Sequence, residues 1–235
     1  LEINHALGNG KLMQGLWPVP IDVQHCPQAA EINPVLVRAF TAMRSLQDPD
    51  GPKNFYASAD DLISRMQLPE FSVLLNFIAT SVQHVAKQAN AQSWPAGKLL
   101  MDLQFAGCWF QIQNGQAFHD VHTHGNCSWS GVYYLQIDAA AERRQHAELG
   151  ECNGVTRFYG PYSQFQAGAY MDMGNAYLQK NSIDIQPEEG MLVLFPSYLP
   201  HKAMAYEGKK DRVIVSFNVQ INARSGNQIH AYTGT

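Results

Sequence analysis

The chain has 235 residues, 46% apolar and 11% aromatic, enough for one ordinary domain with a sizeable core and unlike a disordered or collagen-like composition. Its 16 basic and 20 acidic side chains give a net charge of −4, which argues against a nucleic-acid partner bound through clustered Lys and Arg. The longest apolar stretches, Val73–Ala79 and Met191–Phe195, fall far short of the ~18–20 residues that span a bilayer, so no membrane partner is expected. No charged-then-apolar leader is visible, although a chain beginning at Leu1 is silent on what preceded it. The cysteines (Cys26, Cys108, Cys127 and Cys152) are scattered without a C-x-x-C pair, and read as reduced, buried thiols of a cytoplasmic protein.

After a Pro-punctuated start, Leu16-Trp-Pro-Val-Pro-Ile21, a helix is expected from an N-cap at Asn33 with Pro34 at its first position; Leu36, Phe40 and Met43 share one face. Asp48-Pro-Asp-Gly-Pro52 is a loop by its turn chemistry. A short helix is predicted over Ala59–Met66. A longer one starts at Pro69, with Phe71, Leu74, Leu75, Ile78, Val82 and Val85 on one stripe and His84 and Lys87 off it. From Lys98 the period changes to two, as Leu99, Met101, Leu103 and Phe105 alternate with Leu100, Asp102 and Gln104. Further strands are predicted at Cys108–Gln113, Trp129–Ile137, Val155–Tyr159, Ser182–Gln186, Gly190–Phe195, His201–Tyr206 and Arg212–Ile221. Helices first and strands afterwards imply helices packed on an antiparallel sandwich or barrel, not alternating βαβ units. No glycine-rich nucleotide loop opens a helix.

The densest chemistry lies in Phe118-His-Asp-Val-His-Thr-His-Gly-Asn126. In an extended segment His122 and His124 emerge on one face about 6.5–7 Å apart, close enough to share an ion. Alone, H-x-H favours solvated or hydrogen-bonded histidines. His201, at the entry to a later strand, supplies a remote third imidazole; taken singly it reads as a capped loop histidine. Two near ligands and one remote, each on a β strand, are how open metal sites in double-stranded β-helices are assembled. Arg212 heads an apolar strand whose parity groups it with Ile214, Ser216 and Asn218, away from Val213, Val215 and Phe217. A guanidinium there needs an anion or solvent. Its partner is either a ligand carboxylate or a structural acid such as Asp211 or Glu189.

His122-Thr-His124, Ser130-Gly-Val-Tyr-Tyr-Leu135, Gly190-Met-Leu-Val-Leu-Phe-Pro-Ser-Tyr-Leu-Pro-His201 and Arg212…Ser216-Phe-Asn218 together resemble the 2-oxoglutarate/Fe(II)-dependent oxygenases. The branch most similar is a group of small bacterial and phage oxygenases related to prolyl hydroxylases, and the likeness runs over roughly residues 99–221. The resemblance implies a mainly β protein with N-terminal helices, its double-stranded β-helix (jelly-roll, cupin-like) core packed by those helices. It implies one domain over 1–235: a leading segment and supporting helices to 97, the core over 98–221, and a tail from 222.

By the same resemblance His122, His124 and His201 are the metal ligands, with no catalytic residue beyond them. Arg212 binds the far carboxylate of 2-oxoglutarate, helped by Tyr134 and Ser216; Asn218 and Gln111 are weaker candidates, and Trp109 packs. The cofactors implied are Fe(II) and 2-oxoglutarate. The partners are O2 and a peptide or small-molecule substrate whose C–H bond is hydroxylated. His124 stands where the superfamily usually has Asp or Glu, so three neutral imidazoles leave a +2 site that the dianionic cosubstrate can neutralise. Asp120 could serve as an acid ligand only in a bulged strand, and strand parity turns His119 to the opposite face. Tyr159, Tyr162 and Tyr170 flank or occupy Gly160–Gly174, which reads as a polar loop or a lid. The alternatives are a cupin-like three-histidine metalloenzyme that does not use 2-oxoglutarate, and a non-catalytic ligand-binding barrel. Oligomeric state is not legible, a homodimer being one option.

Overall fold

The structure, a computed structural model, describes residues 5–7, 11–13, 19–91, 93–94, 101–160 and 182–223. Strands β1 (His5–Leu7) and β2 (Lys11–Met13) form a small antiparallel pair. Then come β3 (Asp22–His25), α1 (Ala29–Gln47), β4 (Phe55–Ala57), α2 (Leu62–Arg65) and α3 (Pro69–Ala89). The β-rich remainder comprises β5 (Met101–Gln113), β6 (Ala117–His122), β7 (Trp129–Gln136), α4 (Ala140–Arg143), β8 (Thr156–Tyr159), β9 (Ser182–Ile185), β10 (Met191–Pro196), β11 (His201–Tyr206) and β12 (Arg212–Ala223). These strands build a six-stranded sheet in the order β3-β10-β7-β12-β5-β4 and a four-stranded sheet in the order β6-β11-β8-β9, with antiparallel neighbours throughout. The architecture is the expected double-stranded β-helix with helices packed on it. No helix among the described residues is long and apolar enough to cross a membrane.

The six-stranded sheet is covered on both faces, and strand parity decides what each face carries. Toward the helices it sends Tyr133, Leu135, Leu192, Leu194, Val213, Val215 and Phe217, which join Leu36 and Phe40 of α1 and Phe71, Leu74 and Ile78 of α3 in the larger core. Toward the four-stranded sheet it sends Val132, Tyr134, Val193, Phe195 and Ile214, which meet Phe158 in a smaller core. Double coverage explains why all of β10, Met-Leu-Val-Leu-Phe-Pro, is buried rather than alternating.

Three expectations are corrected. The first helix begins at Ala29, not at Asn33–Pro34. Asn33 is no cap: it lies buried within α1, where its amide donates to the Leu135 carbonyl at 3.0 Å and accepts from the Tyr133 hydroxyl at 2.9 Å. Of the helix predicted over Ala59–Met66 only Leu62–Arg65 is helical. The strands predicted at Leu99–Phe105 and Cys108–Gln113 are one strand interrupted by a bulge: Asn218 faces Gly107 and Val219 faces Phe105, so Ala106 is the extra residue. That bulge switches the core-facing parity from Leu103 and Phe105 to Cys108, Phe110 and Ile112. Leu99, Leu100, the Leu16–Pro18 start, Tyr162 and Tyr170 lie outside the described residues.

All four cysteines are free, and only Cys26 and Cys108 are buried. Both edge strands of the large sheet, β3 and β4, come from the leading segment rather than from the region beyond residue 98.

Asn33 ties α1 to β7 by two buried hydrogen bonds, so Asn33→Ala should cost about 1–3 kcal/mol by leaving the Leu135 carbonyl and the Tyr133 hydroxyl unpaired. The shift in the urea unfolding midpoint checks it.

Candidate metal centre

Strand β11 brings His201 directly opposite His122 of β6. His124 follows β6 in a loop stitched to the β10–β11 turn: the His124 N–H donates to the Ser197 carbonyl at 2.9 Å, and the Ser197 N–H to the Ser128 carbonyl at 3.1 Å. The result is a cluster in which one ring nitrogen from each of the three histidines lies within 4.8 Å of the others. His124 Nε2 stands 3.3 Å from His201 Nε2. His122 Nδ1 lies 2.7 Å from the Asp120 carbonyl and His201 Nδ1 2.9 Å from the Leu199 carbonyl. A carbonyl can only accept, so both rings carry their proton on Nδ1 and turn an Nε2 lone pair to the centre. Burial pushes His201 down to about 3 and His124 down to about 4, with the neighbouring imidazoles adding to the effect. Both are therefore neutral near pH 7, the state in which imidazole binds a metal. Three imidazoles converging on one point fit an Fe(II)-type ion, and equally Zn, Cu or Ni.

Two readings by strand parity are corrected by a second bulge. Between His122 and His119 strand β6 advances three residues while β11 advances two, from His201 to Ala203. This turns His119 onto the face of His122, where the two rings stack with centroids 4.1 Å apart, and His119 lines the cleft instead of pointing away. The bulge that Asp120 would need is present, yet it sends that carboxylate to the surface, 3.3 Å from the Lys202 ammonium.

The cleft beside the cluster encloses about 510 Å³ including its open mouth, and also reaches Trp109, Gln111, Tyr134, Thr156, Arg212 and Ser216. Its inner end is set by Arg212, which is 1% exposed. Arg212 Nε donates to Gln113 Oε1 at 2.8 Å, Nη2 donates to the same oxygen, and Nη1 donates to the carbonyls of Gly154 at 3.1 Å and Met204 at 3.5 Å. Neither acid named from the sequence meets it. Glu189 pairs with Lys210 at 3.3 Å, and Asp211 accepts from Asn114 at 3.0 Å. Among the described residues Arg212 has no carboxylate partner. Burial lowers its pKa to about 10, so it remains a cation near neutrality. A buried cation held only by neutral acceptors is a ready site for an anion.

Tyr134 and Ser216 line this cleft as expected, and the Tyr134 hydroxyl lies 2.5 Å from Thr156 Oγ1. Asn218 does not line it; its side chain accepts from the Ser130 hydroxyl at 2.8 Å. Trp109 sits at the wall, 6.2 Å from the His124 ring. Thr156 and Gln113 were not identified from the sequence, where a polar residue on a strand gives no sign of which sheet face it occupies.

Residues 107–218 match the model of a family described as "Putative 2OG-Fe(II) oxygenase". No curated protein matches the chain. Among solved structures, a prolyl-4-hydroxylase from Pseudomonas putida is similar at a TM-score of 0.52 and 16% identity, covering 88% of this chain and 93% of that one. HygX from Streptomyces hygroscopicus, with nickel and 2-oxoglutarate bound, is similar at 0.53 and 10% identity over 86% of this chain and 82% of that one. A prolyl hydroxylase from Trichoplax adhaerens, in complex with a peptide fragment of the hypoxia inducible factor oxygen degradation domain, gives 0.52 and 10% over 85% and 83%. At these identities the structural likeness establishes the double-stranded β-helix.

In the metal-free protein, long-range 1H–15N NMR should find the His201 ring as a neutral Nδ1–H tautomer down to about pH 5. An imidazolium signal at pH 6 would contradict the burial described.

Proposed function

We propose that the protein hydroxylates a C–H bond of a peptide or small-molecule substrate, using 2-oxoglutarate and O2, a reading supported by the match of residues 107–218 to the oxygenase family model. The observation that carries this reading is the shared cleft, which holds at once a three-imidazole cluster and a buried guanidinium that meets no carboxylate among the described residues.

His122, His124 and His201 would hold the iron, their lone pairs aimed by the Asp120 and Leu199 carbonyls and by the tether of the His124 backbone to Ser197. Arg212 would receive the far carboxylate of 2-oxoglutarate, with Tyr134 and Ser216 beside it on the same wall. The 2-oxo acid end is thereby directed to the imidazoles. An Fe(II) ion held by these three imidazoles would supply the chemistry that uses O2 to couple decarboxylation of 2-oxoglutarate, to succinate and CO2, with hydroxylation of the substrate. Phe195 and Ile214 exclude water from the cleft floor, and low polarity there strengthens the pull of Arg212 on an anion. Three neutral imidazoles leave the full charge of the ion uncompensated, which favours a dianionic cosubstrate. The peptide class is suggested by the similar prolyl hydroxylase in complex with a peptide fragment, and 2-oxoglutarate as cosubstrate by the similar HygX structure that holds it.

Titrating 2-oxoglutarate into the anaerobic Fe(II)-loaded protein should raise a weak charge-transfer band in the visible, and succinate should form once air is admitted. Metal binding without that band would favour the cupin-like alternative, and no metal binding the non-catalytic one. His122→Ala and His201→Ala should each abolish stoichiometric iron uptake, measured by elemental analysis after gel filtration. Arg212→Ala should keep its iron and bind 2-oxoglutarate roughly a hundredfold more weakly, the cost of removing one partner of a buried charge pair. Equal iron occupancy in wild type and both histidine variants would overturn the assignment.

A further inference from the structure

Strand β6 stands at one rim of the four-stranded sheet and pairs only with β11 among the described residues. On β11 the Pro200 carbonyl accepts from the Tyr159 N–H at 2.9 Å and the Met204 N–H donates to the Val155 carbonyl at 2.8 Å, so these residues turn their main chain toward β8. His201 and Ala203, of the other parity, face β6, where they pair with His122 and His119. Alternation then turns the N–H and C=O of Phe118 to the free side of β6. Residues 118–121 are exposed in succession, and two of them are large and apolar: Phe118 is 54% exposed and Val121 49%.

The same strand borders the cleft through His119 and His122, whereas β9, at the other rim of the sheet, contributes no lining residue. His201 reaches the cluster from one strand spacing beyond His122. A strand laid along the free side of β6 stands at the same spacing, about 4.8 Å, and its cleft-facing side chain beside His122 mirrors His201 across that ligand. Its remaining side chains lie next to Phe118 and Val121. Main-chain donors and acceptors on a free rim recognise another extended backbone, which a small molecule does not offer. The bulge near Asp120, and the Asp120–Lys202 ion pair at 3.3 Å beside it, break the rim against a long flat strand from a second copy of the chain. A short flexible peptide adapts to both.

We infer that β6 is the docking rim for an extended peptide substrate, which adds to the sheet as a strand, sets apolar side chains against Phe118 and Val121, and brings one cleft-facing residue beside His122. The inference rests on the oxygenase reading above and commits its substrate to the peptide class.

Amide NMR of the metal-free, 15N-labelled full chain, titrated with a capped peptide alternating Val and Ser over the six-residue length of β6, tests this. Saturable shifts should centre on Phe118 and Val121. Two forms of the peptide, N-methylated at alternate residues of one parity or the other, should differ at least about tenfold in affinity, because a strand turns only every second N–H to its neighbour. With Fe(II) bound, the peptide protons should relax faster, the mark of a chain lying beside the ion. Phe118→Pro removes the free N–H and the ring together and should weaken the peptide at least about tenfold, while the iron-loaded variant keeps its charge-transfer band with 2-oxoglutarate. Val121→Lys, which sets a charge against the peptide's apolar side chains, carries the test if the Pro variant fails to fold. Shifts centred away from β6, equal affinity of the two methylated peptides, or unchanged peptide relaxation on iron loading overturns the inference and leaves the oxygenase reading standing. Iron-loaded wild-type protein that shows no band with 2-oxoglutarate overturns the oxygenase reading, and with it the peptide's role as substrate.

Discussion

The burial of the Arg212 guanidinium between two sheets, where it meets only neutral acceptors among the described residues, constrains the rest of the cleft. A cation out of contact with water is costly unless its donors are met, and an inward-facing acid would have met them permanently. Instead Gln113, Gly154 and Met204 provide partial compensation. That arrangement holds the side chain in one geometry without neutralising it. Gln113 in turn orients Gln111, and the wall beyond carries Tyr134, Thr156 and Ser216. An acid in place of Gln113 would fill the anion's role from within the protein and close the site to any external dianion.

The opposite end of the cleft follows a matching rule. Three imidazoles are a neutral donor set, so the ion's charge is left for the incoming ligand to balance. The buried His201 and the half-buried His124 bring no proton to compete with the metal near neutral pH. Both ends of the cleft thus attract negative charge, and a molecule anionic at two separated points suits them jointly. Asp120, two residues before His122, pairs with Lys202 at the surface.

Much of this was legible in the sequence. The apolar stripe of α3 and the parity of β12 express periods of 3.6 and 2 that side chains impose directly, whereas the His-Thr-His segment was legible by residue type alone, since His124 stands in the loop after β6 and not on a strand as expected. Parity failed wherever a bulge inserted a residue. At Ala106 one strand read as two, and near Asp120 the bulge reversed the facing of His119. A bulge is set by what the partner strand requires, and no local residue pattern announces it. Asn33 misled for another reason: its residue type suits a helix cap, but its amide is used instead for a contact with β7, a hundred residues away in sequence, at Tyr133. Gln113 and Thr156 were likewise out of reach, because their roles depend on which strands lie across from them.

The short strands β3 and β4 lie at the two ends of the large sheet, against β10 and β5. Each therefore acts as a selvage: it occupies the hydrogen-bonding rim of a long, apolar strand and ends after four and three residues, too brief to template further growth. A fragment trimmed to residues 107–218 would bare the edge of β10 from Met191 to Leu194. Intermolecular sheet extension, rather than loss of the imidazole cluster, would be its first mode of failure.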